Sequence, residues 1–319
     1  MGSETIIDSN SNRANRGRKA TVRVFGMLAL RRTSLREFLK SKFTCADLRT
    51  LPKKAKIIGH VALVRFQDKG IDSEVLGKAI AEFYPTVKTV LRLQGISGKL
   101  RQPVVELMYG DPNTETIYKE HGYKFMLDVS KLMLCLGNSY ERLRTARSVR
   151  PGEVVVDMFA GIGQFSIPCA VISKPSKVYA IEINEEAYRY LKINITLNNV
   201  EGIAESMLGD CKVLAPTLGR IADRIIMGYF GGTIEALPAA LSTVKPEGTT
   251  IHLHELVKRG TGKDELWKEI SELCFSLGYA STLLDSRVVK SYSATKEHVV
   301  IEFKVKPTED LSTGPSSAT

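Results

Sequence analysis

The sequence contains no uninterrupted apolar run near the ~18–20 residues that a bilayer-spanning helix needs, and its Ser/Asn-rich start lacks the apolar core of a secretory signal. These absences point to a soluble protein with a cytoplasmic address and no membrane partner. Cysteine is sparse and scattered: Cys45, Cys135, Cys169, Cys211 and Cys274 are odd in number, form no C-x-x-C pair and have no histidine at ligand spacing. That excludes a disulfide framework and argues against a structural zinc site, so reduced thiols and no metal are expected. No internal repeat is visible.

What is present is an ordinary globular composition, 43% hydrophobic and 25% charged over 319 residues, enough for two compact domains. The formal charge of +10 is unevenly placed, because residues 1–56 hold fourteen Lys/Arg against four Asp/Glu and so carry the whole excess. A basic leading segment suits a phosphate backbone, since each neutralised phosphate releases condensed counterions. A merely solubilising tail is the plain alternative.

Residues 1–20, rich in Ser, Asn, Arg and Gly, are expected to be a disordered basic tail, as is the polar stretch 307–319. Order is expected from Thr21. Residues 33–43 repeat apolar residues at helical spacing behind a Thr/Ser cap, 55–66 read as strand broken by a glycine turn, and 73–83 read as helix. With strands over 87–93 and 104–109, this makes an N-terminal α+β domain, residues 21–125, a platform for a macromolecular substrate. A helix is expected over 130–148, stopped by Pro151-Gly152. Strands near 153–158, 178–182, 204–208, 223–228 and 248–254 then alternate with helices, and a final pair falls near 279–289 and 297–305. The fold class is therefore α/β, with a Rossmann-like catalytic domain over 126–306.

The strongest local signal is VVVDMFAGIGQF, residues 154–165: an apolar strand ending in Asp157, then a turn through Gly161 and Gly163 that opens a helix. The two glycines allow a tight turn and close approach to a ligand at the carboxyl end of the sheet. D-x-F-x-G-x-G is not the dinucleotide pattern, and an acid at the strand end suits the ammonium of an amino acid better than a pyrophosphate. The next strand ends in Glu182, placed to accept both hydroxyls of a ribose. After the third strand, Gly209-Asp210-Cys211 would border an adenine. Each has a bland reading as well: Asp157 as a helix cap, Glu182 as a turn acid, Gly209-Asp210 as a plain turn. Three in order at successive strand ends favour the functional one.

The fourth strand runs into Gly228-Tyr229-Phe230-Gly231-Gly232-Thr233, a site or a Gly-rich turn with Tyr229 packed beside it. It lacks the Asn-Pro-Pro-like motif with which N-methylating relatives of such a fold handle an exocyclic amine or ring nitrogen. His252 and His254, two apart on a strand, face the same way. Lacking a third ligand, they read as paired or capping histidines before metal ligands or a proton acceptor.

Residues 124–131 (KFMLDVSK), 137–142 (GNSYER), 151–165 and 222–229 (ADRIIMGY) together resemble the tRNA wybutosine-synthesizing protein 2 family, over about Leu51 to Val305. Its cousins are the tRNA guanine-N1 methyltransferases. The resemblance implies an AdoMet-dependent methyltransferase fold. It also implies transfer of the 3-amino-3-carboxypropyl group of S-adenosyl-L-methionine to C7 of a 4-demethylwyosine-type base beside the anticodon of tRNA-Phe. It places AdoMet-binding positions at Arg142, Glu182, Asp210 and Cys211, and at Cys135, where the family usually has Ser. A thiol is a weak donor, so one hydrogen bond to the donor is in question there. Asp157 and the Gly161/Gly163 turn are expected to hold the methionine end, and Arg142 to anchor a carboxylate or the substrate. A second departure is Tyr292-Ser293-Ala294-Thr295, where the family has a Pro-containing turn. Guanine-N1 methylation, an idle tRNA-binding module and a small-molecule methyltransferase are the rival functions.

Overall fold

The computed structural model describes residues 34–43, 50–67, 70–98 and 100–308. The expected tail over 1–20, the start of order at Thr21 and nearly all of the tail beyond 307 lie outside them, as does Cys45.

The first helix, α1 (Leu35–Lys42), starts at Ser34 with a reciprocal cap: the Ser34 hydroxyl accepts from the Glu37 N–H, and the Glu37 carboxylate accepts from the Ser34 N–H. Its apolar face, Leu35 and Leu39, packs with Leu76 and Ile80 of α2 (Ser73–Phe83) under a four-stranded sheet. Complete burial of Leu39, Leu76 and Ile80 stabilises the unit by about 2 kcal/mol each. The sheet runs β1 (Ala55–Ile58), β2 (Val61–Val64), β3 (Thr89–Ser97), β4 (Gln102–Gly110) in spatial order. The glycine turn expected within 55–66 is Gly59, at φ +56°, where a Cβ would strike the Thr116 hydroxyl at 2.0 Å.

A two-stranded hairpin, β5 (Glu115–Glu120) and β6 (Tyr123–Asp128), links the two halves. Sequence periodicity does not reveal it, and the boundary read at 125/126 falls inside β6. Two side-chain amides bind it to α5 (Glu185–Leu197). Asn194 bonds both the N–H and the carbonyl of Met126, and Asn198 does the same for Lys124.

The expected helix over 130–148 is shorter than read. After a turn through Lys131 in which the Asp128 carboxylate accepts from the Ser130 N–H and hydroxyl, residues 132–135 have no regular secondary structure. Only then does α3 (Ser139–Ser148) begin, behind a single 3-10 turn at Leu136–Asn138. Burial alternates along it: Leu132 and Leu134 are buried while Met133 is partly open. Helical spacing and strand alternation overlap in LMLCL, and tertiary packing decides for the latter.

The strands that follow are β7 (Val154–Asp157), β8 (Lys177–Glu182), β9 (Ala204–Leu208), β10 (Arg224–Met227), β11 (Thr249–Lys258), β12 (Tyr279–Ser291) and β13 (Lys296–Pro307). They form one sheet in the order β12-β13-β11-β10-β7-β8-β9. β7 to β11 are parallel, and β12 and β13 close one edge antiparallel. Helices α4 (Ser166–Pro168, continuing as a wide turn to Ser173), α5, α6 (Cys211–Thr217), α7 (Leu237–Leu241) and α8 (Gly262–Ser276) cover the two faces over separate apolar cores. This is the expected doubly wound α/β arrangement. The chain's single tryptophan, Trp267 on α8, packs against Phe303 at the antiparallel edge, 5.7 Å between ring centres. No helix among the described residues is long and apolar enough to cross a membrane.

Candidate active site

The sheet begins at β7, winds outward through β8 and β9, and then returns to β10 on the other side of β7. The loops after β7 and β10 therefore diverge, and a crevice opens at the carboxyl ends of the strands. A cavity of about 760 Å³ lies there, within the range of small-ligand sites. Cys135, Gly161, Glu182, Asp210 and Cys211 line it, joined by Met133, Asn138, Phe159, Gln164, Tyr229 and Phe230.

Glu182 is the best-defined polar group. One carboxylate oxygen accepts from the Gly161 N–H and the other from the Asn184 N–H, both at 2.7 Å, which fastens the first loop to the second. Burial pushes its carboxyl above the ordinary range, against the opposing pull of the Asn184, Gly161 and Ile183 N–H groups. Gly161, at φ +57°, has only the Gln164 amide near its missing Cβ, so the backbone is open to the cavity. Gly163, at φ +93°, does not line the cavity. A Cβ there would meet Ile167 at 2.6 Å, so this glycine serves helix packing. Asp210 caps α6 by accepting from the Lys212 N–H at 2.8 Å and still faces the cavity, so the capping and lining readings both hold. The Cys211 thiol turns into the core, where burial pushes it up to about 12.

Two of the expected contact residues lie buried behind the cavity. Asp157 is fully buried and not among the lining residues. It accepts from the Ser166 hydroxyl at 2.6 Å and the Phe159 N–H at 3.3 Å, and burial first, with the Glu182 charge a lesser contributor, raises its carboxyl to about 6. The acid thus braces the turn from beneath. Arg142 is likewise fully buried: Nε and Nη2 hold Glu120, and Nη1 donates to the Cys135 carbonyl at 2.8 Å. It positions Cys135 and is withdrawn from solvent.

The Gly-rich loop after β10 wraps around the Glu255 carboxylate, which accepts from the N–H groups of Gly231, Gly232 and Thr233. This anchoring sets Tyr229 over Phe159, rings nearly parallel and 5.3 Å apart. It also sets Phe230 edge-on to His298 at 4.4 Å. His252 faces an Arg224 N–H at 2.6 Å and His254 meets His298 at 3.0 Å, all three rings buried. They are paired core histidines.

Several lining residues carried no local signal. Leu100 and Arg101 come from the β3–β4 turn in the other half of the molecule, and Arg101 lies 5.5 Å over the Phe230 ring. Gln164 spans from the glycine turn to the 131–135 stretch by donating to the Met133 carbonyl at 3.2 Å. Such pairings across long separations leave no trace in spacing.

Comparison with known proteins gives the family. The TRM5/TYW2 methyltransferase domain matches residues 116–284, and the TYW2 N-terminal domain matches residues 35–114. The chain is 38% identical over 274 residues to a tRNA(Phe) (4-demethylwyosine(37)-C(7)) aminocarboxypropyltransferase of Pyrococcus horikoshii, covering 85% of this chain and 96% of the relative. It is 34% identical over 260 residues to the tRNA (guanine(37)-N(1))-methyltransferase Trm5b of Pyrococcus abyssi, covering 81% and 76%. The solved structure of P. horikoshii TYW2 in complex with MeSAdo superposes with a TM-score of 0.74 at 34% identity, covering 85% of this chain and 99% of that one. With one family domain spanning more than half of the chain and a second accounting for the part before it, the chain belongs to the TRM5/TYW2 methyltransferase family.

Proposed function

We propose that this chain transfers the 3-amino-3-carboxypropyl group of S-adenosyl-L-methionine to C7 of a 4-demethylwyosine-type base next to the anticodon of tRNA-Phe. The observation that carries the reading is near end-to-end similarity to a relative of that name, joined to a leading half of the TYW2 type. The cavity fits the donor. Glu182 presents two carboxylate oxygens, each already braced by one N–H and each with lone pairs left for a ribose hydroxyl. Gly161 leaves open backbone beside it.

Bound there, the donor supplies a sulfonium: base C7 bonds to its γ-carbon, the carbon–sulfur bond breaks with its electron pair going to sulfur, methylthioadenosine leaves, and the C7 proton passes to solvent. The protein's task is chiefly orientation. Phe159 and Tyr229 offer a flat stack for a ring system, worth about 1–3 kcal/mol per stacked base. Arg101 and Phe230 border the same opening. Arg142, through the Cys135 carbonyl, fixes the 135–138 segment on which the donor's amino-acid end would rest.

The N-terminal half, taken as a domain over about 21–125, would hold the RNA. Lys53, Lys54, Lys56 and Arg65 gather around one open cavity of about 580 Å³ beside Phe66, and Arg92 stacks on that ring at 4.8 Å. Such a basic, aromatic-bearing face suits phosphate and base contacts. Work on tRNA fits a cytoplasmic address.

Guanine-N1 methylation is the second reading, supported by the Trm5b similarity. Against it stands the fourth strand, which ends in Gly228-Tyr229 without the amide expected of N-methylating relatives. Nucleoside mass spectrometry after incubation with AdoMet and tRNA-Phe, carrying either the tricyclic base or unmodified guanosine, tests both. Gain of the aminocarboxypropyl mass with methylthioadenosine released is expected. A methyl gain on guanosine with S-adenosylhomocysteine released overturns the reading.

A further inference from the structure

Lys290 lies near the end of the edge strand β12, next to the turn into β13. Its ammonium sits 2.7 Å from the Cys135 sulfur and 2.6 Å from the Asn138 side-chain oxygen, two atoms separated from it by more than 150 residues of chain. Both Cys135 and Asn138 line the cavity. The lysine also passes close to Gly137, where a Cβ would lie 3.4 Å from both its Cδ and its Nζ, in van der Waals contact.

The charges around it are unbalanced. Arg287, on the same strand, is saturated by Glu141, Asp285 and Glu302. Among the described residues no carboxylate pairs with Lys290, and its neighbours on the core side are neutral rings. His254 and His298 are kept uncharged by burial foremost, with the Lys290 charge opposing their protonation as well. An ammonium has three N–H donors, and the two contacts occupy two. Lys290 does not itself line the cavity: its remaining donor and its charge stand one side chain behind the wall that Cys135 and Asn138 form. Of the cations that line the cavity itself, Lys212 is paired with Glu235, and Arg101 is stacked on Phe230.

We propose that Lys290 anchors the carboxylate of the donor's amino-acid end, a positioning contact made together with Asn138 and Cys135. The inference rests on the AdoMet reading above and adds to it the cation that Arg142, locked to Glu120, does not supply. Because the carboxylate travels with the transferred group, the same lysine holds it before and after the carbon–sulfur bond breaks.

Calorimetric titration with three ligands separates this from a structural role: AdoMet, decarboxylated AdoMet, which lacks only the carboxylate, and methylthioadenosine, which lacks the whole side chain. The intact protein should bind AdoMet about tenfold to a hundredfold more tightly than decarboxylated AdoMet, the range of a charge-assisted hydrogen bond. Lys290→Met should erase that ratio while leaving methylthioadenosine affinity within about twofold, and Lys290→Arg should restore most of it. Equal binding of AdoMet and its decarboxylated form by the intact protein overturns the proposal whatever the variants do. So does an unchanged ratio in Lys290→Met, and a ratio lost instead in Arg101→Ala assigns the carboxylate to Arg101. If the intact protein binds none of the three ligands, the AdoMet reading itself fails.

Discussion

Arg142 and Glu120 meet as a two-pronged ion pair, Nε to Oε1 at 2.6 Å and Nη2 to Oε2 at 2.9 Å, with both side chains withdrawn from solvent. Burial works against the Glu120 carboxylate, but the hydrogen bonds and charge of Arg142 hold it below the ordinary range. Breaking such a pair from one side leaves a buried charge without a partner, at a cost of about 3–5 kcal/mol. Arg142→Met should therefore lower the free energy of unfolding by that amount in a denaturant titration. A loss under about 1 kcal/mol would contradict the buried pair.

Glu182→Gln keeps shape but replaces one oxygen with a donor and removes the charge. AdoMet and methylthioadenosine should both bind about tenfold more weakly, since each presents the ribose. Equal affinity for the variant and the parent protein, by calorimetry, would remove Glu182 from the ribose contact.

Tyr229→Ala removes one half of the stack with Phe159. Loss of one base–aromatic contact predicts a fall of about tenfold to a hundredfold in kcat/KM for tRNA, with AdoMet affinity nearly unchanged. An equal loss in AdoMet binding would place Tyr229 at the donor and not at the base.

Three buried histidines stay neutral in the fold. Burial comes first for all three, reinforced for His252 by Arg224, for His254 by Arg287 and for His298 by His254; His254 falls to about 3 and His298 to about 2. The unfolded chain takes up protons near pH 6.5, where the folded chain does not. Their contribution to stability is thus present above pH ~6.5 and lost as the pH falls from there toward 3. The thermal midpoint should drop on acidification from pH 7 to 5, and His298→Leu should flatten the slope.

Asp157 has the opposite sign. Its carboxyl is held neutral up to about 6 in the fold, against 3.8 ordinarily, so the folded chain binds the extra proton between those values. That stability is present below pH ~4 and lost as the pH rises through 6. Asp157→Asn should gain on the parent protein by on the order of 3 kcal/mol between pH 4 and 7. A pH-independent difference would contradict the burial.

Much of this was legible in the sequence. Strands β7 to β13 follow from apolar runs bounded by turn residues, and Glu182 and Gly161 follow from their places at successive strand ends. What was not legible depends on distance along the chain. Asp157 stands out by its place at a strand end and Arg142 by the family resemblance, but that both are buried is not legible, and neither Ser166 nor Glu120 announces itself as the partner. Lys290 and Arg101 reach the cavity region from an edge strand and from the other half of the molecule, with no local pattern to mark them. The β5–β6 hairpin is not legible either: beyond its own ladder, the backbone of β6 bonds Asn194 and Asn198 on a helix about 70 residues on, a pairing that strand alternation does not encode.

Trp267 is the chain's only indole, and it lies against Phe303 at the antiparallel edge, apart from the residues that line the cavity. Its fluorescence is therefore a gauge of whether that edge is folded, and a donor that simply fills the cavity should leave the emission maximum where it was. A shift on adding ligand would mean that the disturbance had crossed the sheet.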